Sequence, residues 1–152
     1  MNFFNELLIS IFVAIITAIA IYVFRKFIHP LILSRLQNTP NLAGNWLGYD
    51  IQPGGVELQD SRMTIRQIGT NISATVYRQS NNRERIFKYT GIISSGQVLL
   101  IWKETQGNGY NMGTMTLILS GDLQNLSGKT TYHAHDIAQI VSSDKIYRRI
   151  RN

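Results

Sequence analysis

The feature that most constrains this chain is Leu7 to Phe24, a run of eighteen residues without a charge, a glycine or a proline. As an α-helix, at 1.5 Å per residue, such a run measures about 27 Å, and the hydrocarbon core of a bilayer is roughly 30 Å thick. Phe3 and Phe4 precede the run and extend its apolar length. The sequence therefore predicts a helix that spans a membrane.

Other interpretations of this run are weaker. A cleaved signal peptide carries a basic segment before a shorter apolar core, whereas Met1 to Glu6 contains no Lys or Arg, although Ala18-Ile19-Ala20 imitates a cleavage site. A helix that packs on a globular core, or lies in the membrane plane, keeps a polar face, and this run has none. A spanning helix is the favoured interpretation.

The residues after the run predict its orientation. Arg25, Lys26, His29 and Arg35 follow it, and no cationic side chain precedes it. Because Lys and Arg beside a membrane helix are retained in the cytoplasm, we expect a single pass with the rest of the chain in the cytosol. The absence of Cys excludes disulfides, which agrees with a reducing compartment.

Small residues recur along one side of the predicted helix. Ser10, Ala14 and Ala18 lie four residues apart, with Thr17 beside them. Such a stripe lets a second, identical helix pack closely, so we predict a homo-oligomer. The alternative is that Ala and Ser are simply common in membrane helices.

The anchor is followed by a short connection. Phe27 to Leu36 is too short to cross a membrane, and Pro30 is expected to interrupt it as a continuation of the anchor. We predict a juxtamembrane helix at the headgroups, which completes a membrane segment of residues 1–36, and then a linker at residues 37–41.

Residues 42–152 have the pattern of an all-β domain, with short apolar or β-branched runs separated by Gly, Asn, Asp and Ser. The runs are Gly44–Gln52, Val56–Ile68, Ile72–Gln79, Arg85–Ile93, Gln97–Glu104, Met112–Ser120, Leu126–Ala134 and a final run that ends at Ile150. Eight strands with short connections favour an up-and-down antiparallel barrel, and an open two-sheet sandwich is the alternative. Val98–Trp102 and Met115–Leu119 are apolar at both parities, which indicates either strands buried on both faces or bulges.

The sequence offers little for an enzyme. The acidic residues are isolated, and no glycine-rich phosphate loop or G-x-S-x-G motif is present. His133 and His135 would share one face of a strand, and Asp136 is the only nearby candidate for a third metal ligand. A polar barrel exterior is the favoured interpretation, so we predict neither catalysis, nor a metal, nor a cofactor.

The balance of cations and aromatic residues is more informative. The chain carries 15 Lys and Arg against nine Asp and Glu, and several cations alternate with aromatic residues inside the strands. Guanidinium groups hold phosphate oxygens, and aromatic faces stack on bases, so the pattern favours a nucleotide-like anion over linear nucleic acid. The predicted ligand-binding residues are Arg66, Arg78 and Lys103 for phosphates, Tyr49 and Tyr132 for bases, and His133. The alternative for each is solvated charge or a strand-rim tyrosine.

The first strand carries Gly44-x-Trp46-x-Gly48-Tyr49. Its G-x-W resembles the opening of lipocalin-like barrels, in which the Trp closes one end and an Arg of the last strand covers it. Arg148, or its neighbour Arg149, is placed to make that cation–π contact. Gly44, Trp46 and Arg148 are therefore predicted to be structural.

A membrane segment followed by a minimal barrel with this motif resembles the transmembrane β-barrel effectors of CBASS, the bacterial anti-phage systems that signal with cyclic oligonucleotides. The resemblance implies a barrel that binds a cyclic dinucleotide from a partner synthase, and a bound state that assembles and damages the inner membrane. The chain also resembles Panoptes effectors, in which the nucleotide restrains the effector. It differs from the family in having one candidate membrane helix instead of two.

Three functions follow as hypotheses. The leading one is a non-enzymatic sensor and membrane effector of anti-phage defence, controlled by a cyclic dinucleotide. The second is a membrane-tethered, lipocalin-like carrier of an apolar ligand. The third is an interaction module that anchors a partner protein to the membrane.

Overall fold

The computed structural model is a closed barrel of eight antiparallel strands preceded by one helical segment, and it describes residues 3–36, 38–80, 83–106, 111–134 and 138–150. The strands are β1 (Gly44–Ile51), β2 (Glu57–Ile68), β3 (Asn71–Ser80), β4 (Arg83–Ser94), β5 (Gln97–Gln106), β6 (Met112–Leu119), β7 (Asn125–Ala134) and β8 (Gln139–Arg149). Each strand pairs with its sequence neighbours, and β8 pairs with β1 from Trp46↔Arg149 to Asp50↔Lys145. The predicted barrel is confirmed, and this closure excludes the open sandwich.

The helical segment consists of α1 (Phe3–Val23), a π-helical turn (Phe24–Ile28) and α2 (His29–Leu36). It is the one helix in the described residues that is long and apolar enough to cross a membrane. Pro30 was expected to interrupt the helix, but the helix continues through it. Because Pro30 has no N–H and its ring crowds the preceding turn, the backbone widens, and the His29 N–H donates to Phe24 O, five residues back.

The helix meets the barrel at the turn between β2 and β3. Pro30 is buried there, and its carbonyl accepts a hydrogen bond from the Thr70 N–H at 3.3 Å. Gly69 has a φ of +61°, and a Cβ atom at this position would collide with the carbonyl of Pro30. This turn therefore requires glycine both for its backbone conformation and for the close approach of the helix.

The side-chain amide of Gln67 holds the predicted linker against the same turn. Its oxygen accepts from the Leu42 N–H at 2.7 Å, and its nitrogen donates to Pro40 O at 3.0 Å and to Gly69 O at 2.8 Å. The described linker residues, 38–41, are thus attached to the barrel. We call the end of the barrel that carries the Gly69–Thr70 turn the helix-side end, and the opposite end the open end.

Apolar side chains fill the barrel toward the helix-side end. Trp46 is fully buried and donates from its indole nitrogen to Leu42 O at 3.0 Å. The side chains packed in this layer are Leu42, Met63, Ile65, Ile72, Ile93, Val98, Leu117 and Leu126. Burial of this many large apolar groups is the main stabilising term for a domain of this size.

The strand runs that are apolar at both parities keep strict alternation. Val98, Leu100 and Trp102 face the barrel interior, whereas Leu99 and Ile101 are exposed on its outer surface. No bulge shifts this part of β5, because its pairing with β6 is continuous from Gln97↔Ile118 to Lys103↔Met112. The middle of the outer surface of β5 is therefore apolar and, in the described part of the chain, uncovered.

Candidate functional site

A cavity of about 620 Å³ occupies the open end of the barrel. Its walls come from the open-end halves of the strands, as Asp50 of β1, Arg78 of β3 and Lys145 of β8 illustrate. The interior is thus divided into an apolar layer beside the helix and a polar, aromatic-lined cavity away from it.

Aromatic rings form one wall of the cavity around Trp102. The ring centroids of Phe87, Tyr89 and Tyr132 lie 5.5, 6.1 and 6.2 Å from that of Trp102. The Trp102 indole N–H donates to Thr130 Oγ1 at 3.1 Å, which fixes the ring orientation. Such a wall offers flat apolar faces on which a planar ligand group can stack.

Gly48 of the G-x-W-x-G motif makes room for the cavity floor. A Cβ atom here would collide with Ser61 Oγ and would lie 2.8 Å from the ring of Tyr147. The absence of a side chain lets Tyr147 lie against β1 in the barrel interior. The motif therefore contributes to packing in two places. Trp46 packs in the apolar layer toward the helix-side end, and Gly48 contacts Tyr147 at the cavity floor.

Two acids and two cations form a buried network beside the aromatic wall. Arg78 Nη2 lies 2.6 Å from Asp60 and 3.3 Å from Asp50. Lys145 Nζ lies 2.6 Å from Asp60 Oδ2 and 3.2 Å from Asp50 Oδ1. The side chains of Lys145 and Asp60 are only 6% and 9% exposed. Charges this deeply buried are retained in a fold only where they are paired.

The network leaves some hydrogen-bonding capacity of Asp50 and Arg78 unused. Although Lys145 Nζ is within ion-pair distance of Asp50 Oδ1, that oxygen has no hydrogen-bond donor among the described residues. Arg78 uses Nη2 for both acids, and its Nε and Nη1 make no hydrogen bond to the described part of the chain. Asp50 Oδ1 is itself buried, whereas the side chain of Arg78 is 35% exposed and lines the cavity, so an anionic group of a ligand can reach the guanidinium.

A second ion pair lies at the rim. Arg85 binds Glu104 in a two-pronged contact, with Nε 2.8 Å from Oε1 and Nη2 2.9 Å from Oε2. Asn111 also donates to Glu104 Oε2 at 2.9 Å. The hydrogen bond from Arg85, more than any other contact, lowers the pKa of Glu104, and the same contact raises the pKa of Arg85. The pair is therefore fully ionised at neutral pH.

Two tyrosines at the cavity floor stay protonated. Burial raises the pKa of Tyr147 well above its ordinary value, and burial likewise raises the pKa of Tyr89. They present neutral phenols to the cavity.

The structure brings together half of the predicted ligand-binding residues. Arg78, Tyr132 and His133 line the cavity. Tyr49, Arg66 and Lys103 do not line it, so the structure does not bring them together with the other three. Each has the opposite parity to an inward-facing neighbour, namely Gly48, Ile65 and Trp102. They lie on the outer surface, where Tyr49 stacks under Arg148.

The cation that covers Trp46 is Arg149. Its guanidinium carbon lies 5.4 Å from the Trp46 ring centre, and its Nη2 donates to Ala43 O at 2.7 Å beside Gly44. Of the two cations predicted for this role, Arg148 was named as structural, but it lies 4.9 Å from the Tyr49 ring on the outer surface and pairs with Glu57 at 2.8 Å. The correction follows from β1–β8 pairing, which sets Trp46 directly opposite Arg149.

The remaining predicted positions are the helix-packing residues of α1 and the candidate metal ligands near His133. Ser10, Ala14 and Ala18 lie on the exposed surface of α1, and Ser10 Oγ donates to Glu6 O within the helix. His135 and Asp136 lie outside the described residues. In the ranges that the structure describes, no group of three His, Cys, Asp or Glu residues is arranged to hold a metal ion.

Several lining residues were missed by the sequence analysis. Asp50 could have been predicted from the sequence, because it lies four residues after Trp46 and therefore on the same face of the strand. Asp60 could not have been predicted, because the β1–β2 register shifts between Gly48 and Tyr49 and turns both Asp60 and Ser61 toward the interior. Arg85, two residues before Phe87, required the knowledge that β4 directs its odd-numbered side chains inward.

Comparison with known proteins supplies no family. No model of a known protein family matches the chain, and no curated protein matches it.

Proposed function

We propose that this chain is a membrane-tethered sensor and effector, held in the bacterial inner membrane by α1, whose barrel binds a cyclic dinucleotide at the open end. The observation that carries the proposal is a cavity that combines stacking faces, guanidinium donors and carboxylate acceptors. In this proposal the ligand controls self-association of the membrane helices, and assembly damages the membrane. The resemblance to CBASS and Panoptes effectors supports the same function.

The size and lining of the cavity support a small polar ligand. Pockets for small molecules commonly measure about 300–1,000 Å³, and this cavity of 620 Å³ lies within that range. An apolar carrier, the alternative function, is disfavoured because its ligand would be placed against the buried charges of Asp50, Asp60 and Lys145. Burying those charges under a hydrocarbon chain removes their remaining hydration without replacing it.

The charge balance favours a ligand with groups of both kinds. The cations Arg78, Arg85 and Lys145 are balanced by Asp50, Asp60 and Glu104. A bare anion therefore gains little at this site. A cyclic dinucleotide carries phosphodiesters for the free guanidinium nitrogens, base N–H groups for the Asp50 carboxylate, and planar bases for the aromatic wall.

Titration calorimetry of the full chain in detergent micelles tests the proposal, with a panel of purine cyclic dinucleotides as ligands. We expect saturable binding to at least one member, and Arg78→Ala should weaken it about tenfold or more, the loss expected for one charge-assisted contact of about 1.4 kcal/mol. Arg66→Ala is the matched control, because it removes the same side chain from the outer surface of the neighbouring strand.

Tyr132→Leu provides a second variant that breaks no ion pair, and it should also weaken binding. If no member of the panel binds at ~100 µM, the sensing proposal is excluded. Native mass spectrometry of the same preparation tests the alternative function of an apolar carrier. A co-purified lipid that prevents nucleotide binding would favour that alternative.

A further inference from the structure

The helix places one end of the barrel close to any membrane that α1 spans. Phe24 is the last residue of the uncharged run, and Pro30, six residues later, is hydrogen-bonded to the Gly69–Thr70 turn. Six helical residues cover at most about 9 Å, whatever the tilt of the helix. The headgroup layer of a bilayer is about 5–8 Å thick on each side. The turn therefore lies at the headgroups.

The helix does not use the barrel wall as its partner. The membrane-spanning window of the helical segment is 0% buried, and α1 makes no substantial contact with any strand. Pro30 is the one buried residue in the described part of the helical segment, and it packs against the β2–β3 turn. A spanning α1 thus leads away from the helix-side end, and the membrane lies on that side of the barrel.

Exposed apolar side chains surround the helix-side end. Ile68 flanks the β2–β3 turn, Ile92 lies beside the β4–β5 turn, and Ile118 and Leu123 flank the β6–β7 turn. Their exposed fractions range from 39% for Leu123 to 59% for Ile118. All three connections at this end therefore present an uncovered Ile or Leu, which interfacial proteins place at the headgroup–acyl boundary.

The charge distribution matches an anionic surface. Among the described barrel residues, Asp122 is the only acid at the helix-side end, whereas the open end holds Asp50, Glu57, Asp60, Glu84 and Glu104. The cations near the helix-side end are Arg66 and Arg149 of the barrel and Arg25, Lys26 and Arg35 of the helix. Cations within a Debye length of an anionic leaflet are attracted to it, and acids are repelled.

We infer that the helix-side end of the barrel is a membrane-binding surface, which rests in the headgroup layer of an anionic leaflet through Ile68, Ile92, Ile118 and Leu123. The cavity then opens away from the membrane. This inference rests on the spanning role of α1 proposed above and is independent of ligand identity.

The absence of Cys permits a direct test with the full chain. Single variants Ile92→Cys and Ile118→Cys place an environment-sensitive fluorophore at the helix-side end, and Leu58→Cys and Ile140→Cys place it on similarly exposed apolar positions at the open end. Each labelled chain is reconstituted into vesicles of phosphatidylethanolamine and phosphatidylglycerol that contain lipids with a quencher at the headgroup. Because all four side chains are exposed, labelling leaves the core intact.

We expect the labels at positions 92 and 118 to be quenched at least about twofold more than those at 58 and 140, because the open end lies about 20 Å further from the bilayer along the strands. Equal quenching at both ends, in chains that float with the vesicles, would overturn this inference and leave the spanning helix intact. Failure of the chain to float with the vesicles would overturn both.

Discussion

At the scale of single residues, the chemistry of the cavity depends on a few charged side chains that the barrel turns inward. Glu104 is the clearest example, since its side chain is 2% exposed and its carboxylate receives three hydrogen bonds from Arg85 and Asn111. Such a carboxylate can lie at the rim of the cavity with almost no exposure to solvent because its charge is paired.

Glu104→Gln should therefore destabilise the barrel by about 1.5–3 kcal/mol at neutral pH, the range for hydrogen bonds to a charged group. Glu57→Gln is the matched control, because Glu57 pairs with Arg148 on the outer surface, where an ion pair contributes about 0–1 kcal/mol. Thermal unfolding of the full chain in detergent measures both. Equal melting temperatures for the two variants at pH 7 would contradict this account.

The Glu104 carboxylate also determines how the stability difference between the natural chain and Glu104→Gln depends on pH. Because the folded-state pKa of Glu104 is lowered, its stabilisation is complete above the ordinary glutamate pKa of about 4.3 and is lost as pH falls through the lower, folded-state pKa. The stability difference between the natural chain and Glu104→Gln should thus stay constant from pH 8 to 6 and shrink below about pH 4.3. A difference that grows on acidification would contradict the assignment.

At the scale of elements, the β2–β3 turn determines how the helix is mounted on the barrel. Gly69→Ala introduces both a strained positive φ and a collision with Pro30. Gly96→Ala, in the β4–β5 turn, introduces a similar strain at φ +77° with nothing near the new Cβ. Both variants share the free-energy cost of a non-glycine residue at positive φ, about 1–2 kcal/mol each. Only Gly69→Ala also disturbs the contact between the helix and the turn.

We expect Gly69→Ala to free the helix from the turn, because the Thr70–Pro30 hydrogen bond cannot form around the added methyl group. Spin labels on Arg35→Cys and Ile92→Cys should then show a broader distance distribution in the Gly69→Ala background, measured in detergent by pulsed electron resonance. The Gly96→Ala background should retain the narrow distribution. An unchanged distribution for both would show that this contact does not hold the helix.

The elements themselves could be predicted from the sequence, since glycine-rich and polar turns separate runs with a period of two residues. What the sequence could not provide was the register between neighbouring strands. The shift in pairing between Gly48 and Tyr49 brings Asp60 into the cavity, and β1–β8 pairing, not residue type, places Arg149 over Trp46. The π-helical turn before Pro30 likewise depends on a local widening that no side-chain pattern indicates.

At the scale of the whole molecule, the chain has two distinct ends. One carries the helix, the buried Trp46 layer and an acid-poor surface, and the other carries the cavity with its paired charges. In the proposed function the ligand therefore binds far from the membrane that the protein acts on. Control of the helix by the ligand then requires either movement of the strands or contact between the open ends of neighbouring chains.

The most direct test of the account is dye release from phosphatidylethanolamine–phosphatidylglycerol vesicles that contain the full chain, measured as the cyclic dinucleotide identified by calorimetry is added. We expect the release rate of the natural chain to change at least about threefold, upward or downward, with the midpoint of the titration near the Kd. The Arg78→Ala chain should need at least about tenfold more ligand for the same change, in line with its weaker binding. A natural chain that binds the nucleotide while its dye release stays constant would contradict the claim that the barrel controls the membrane segment.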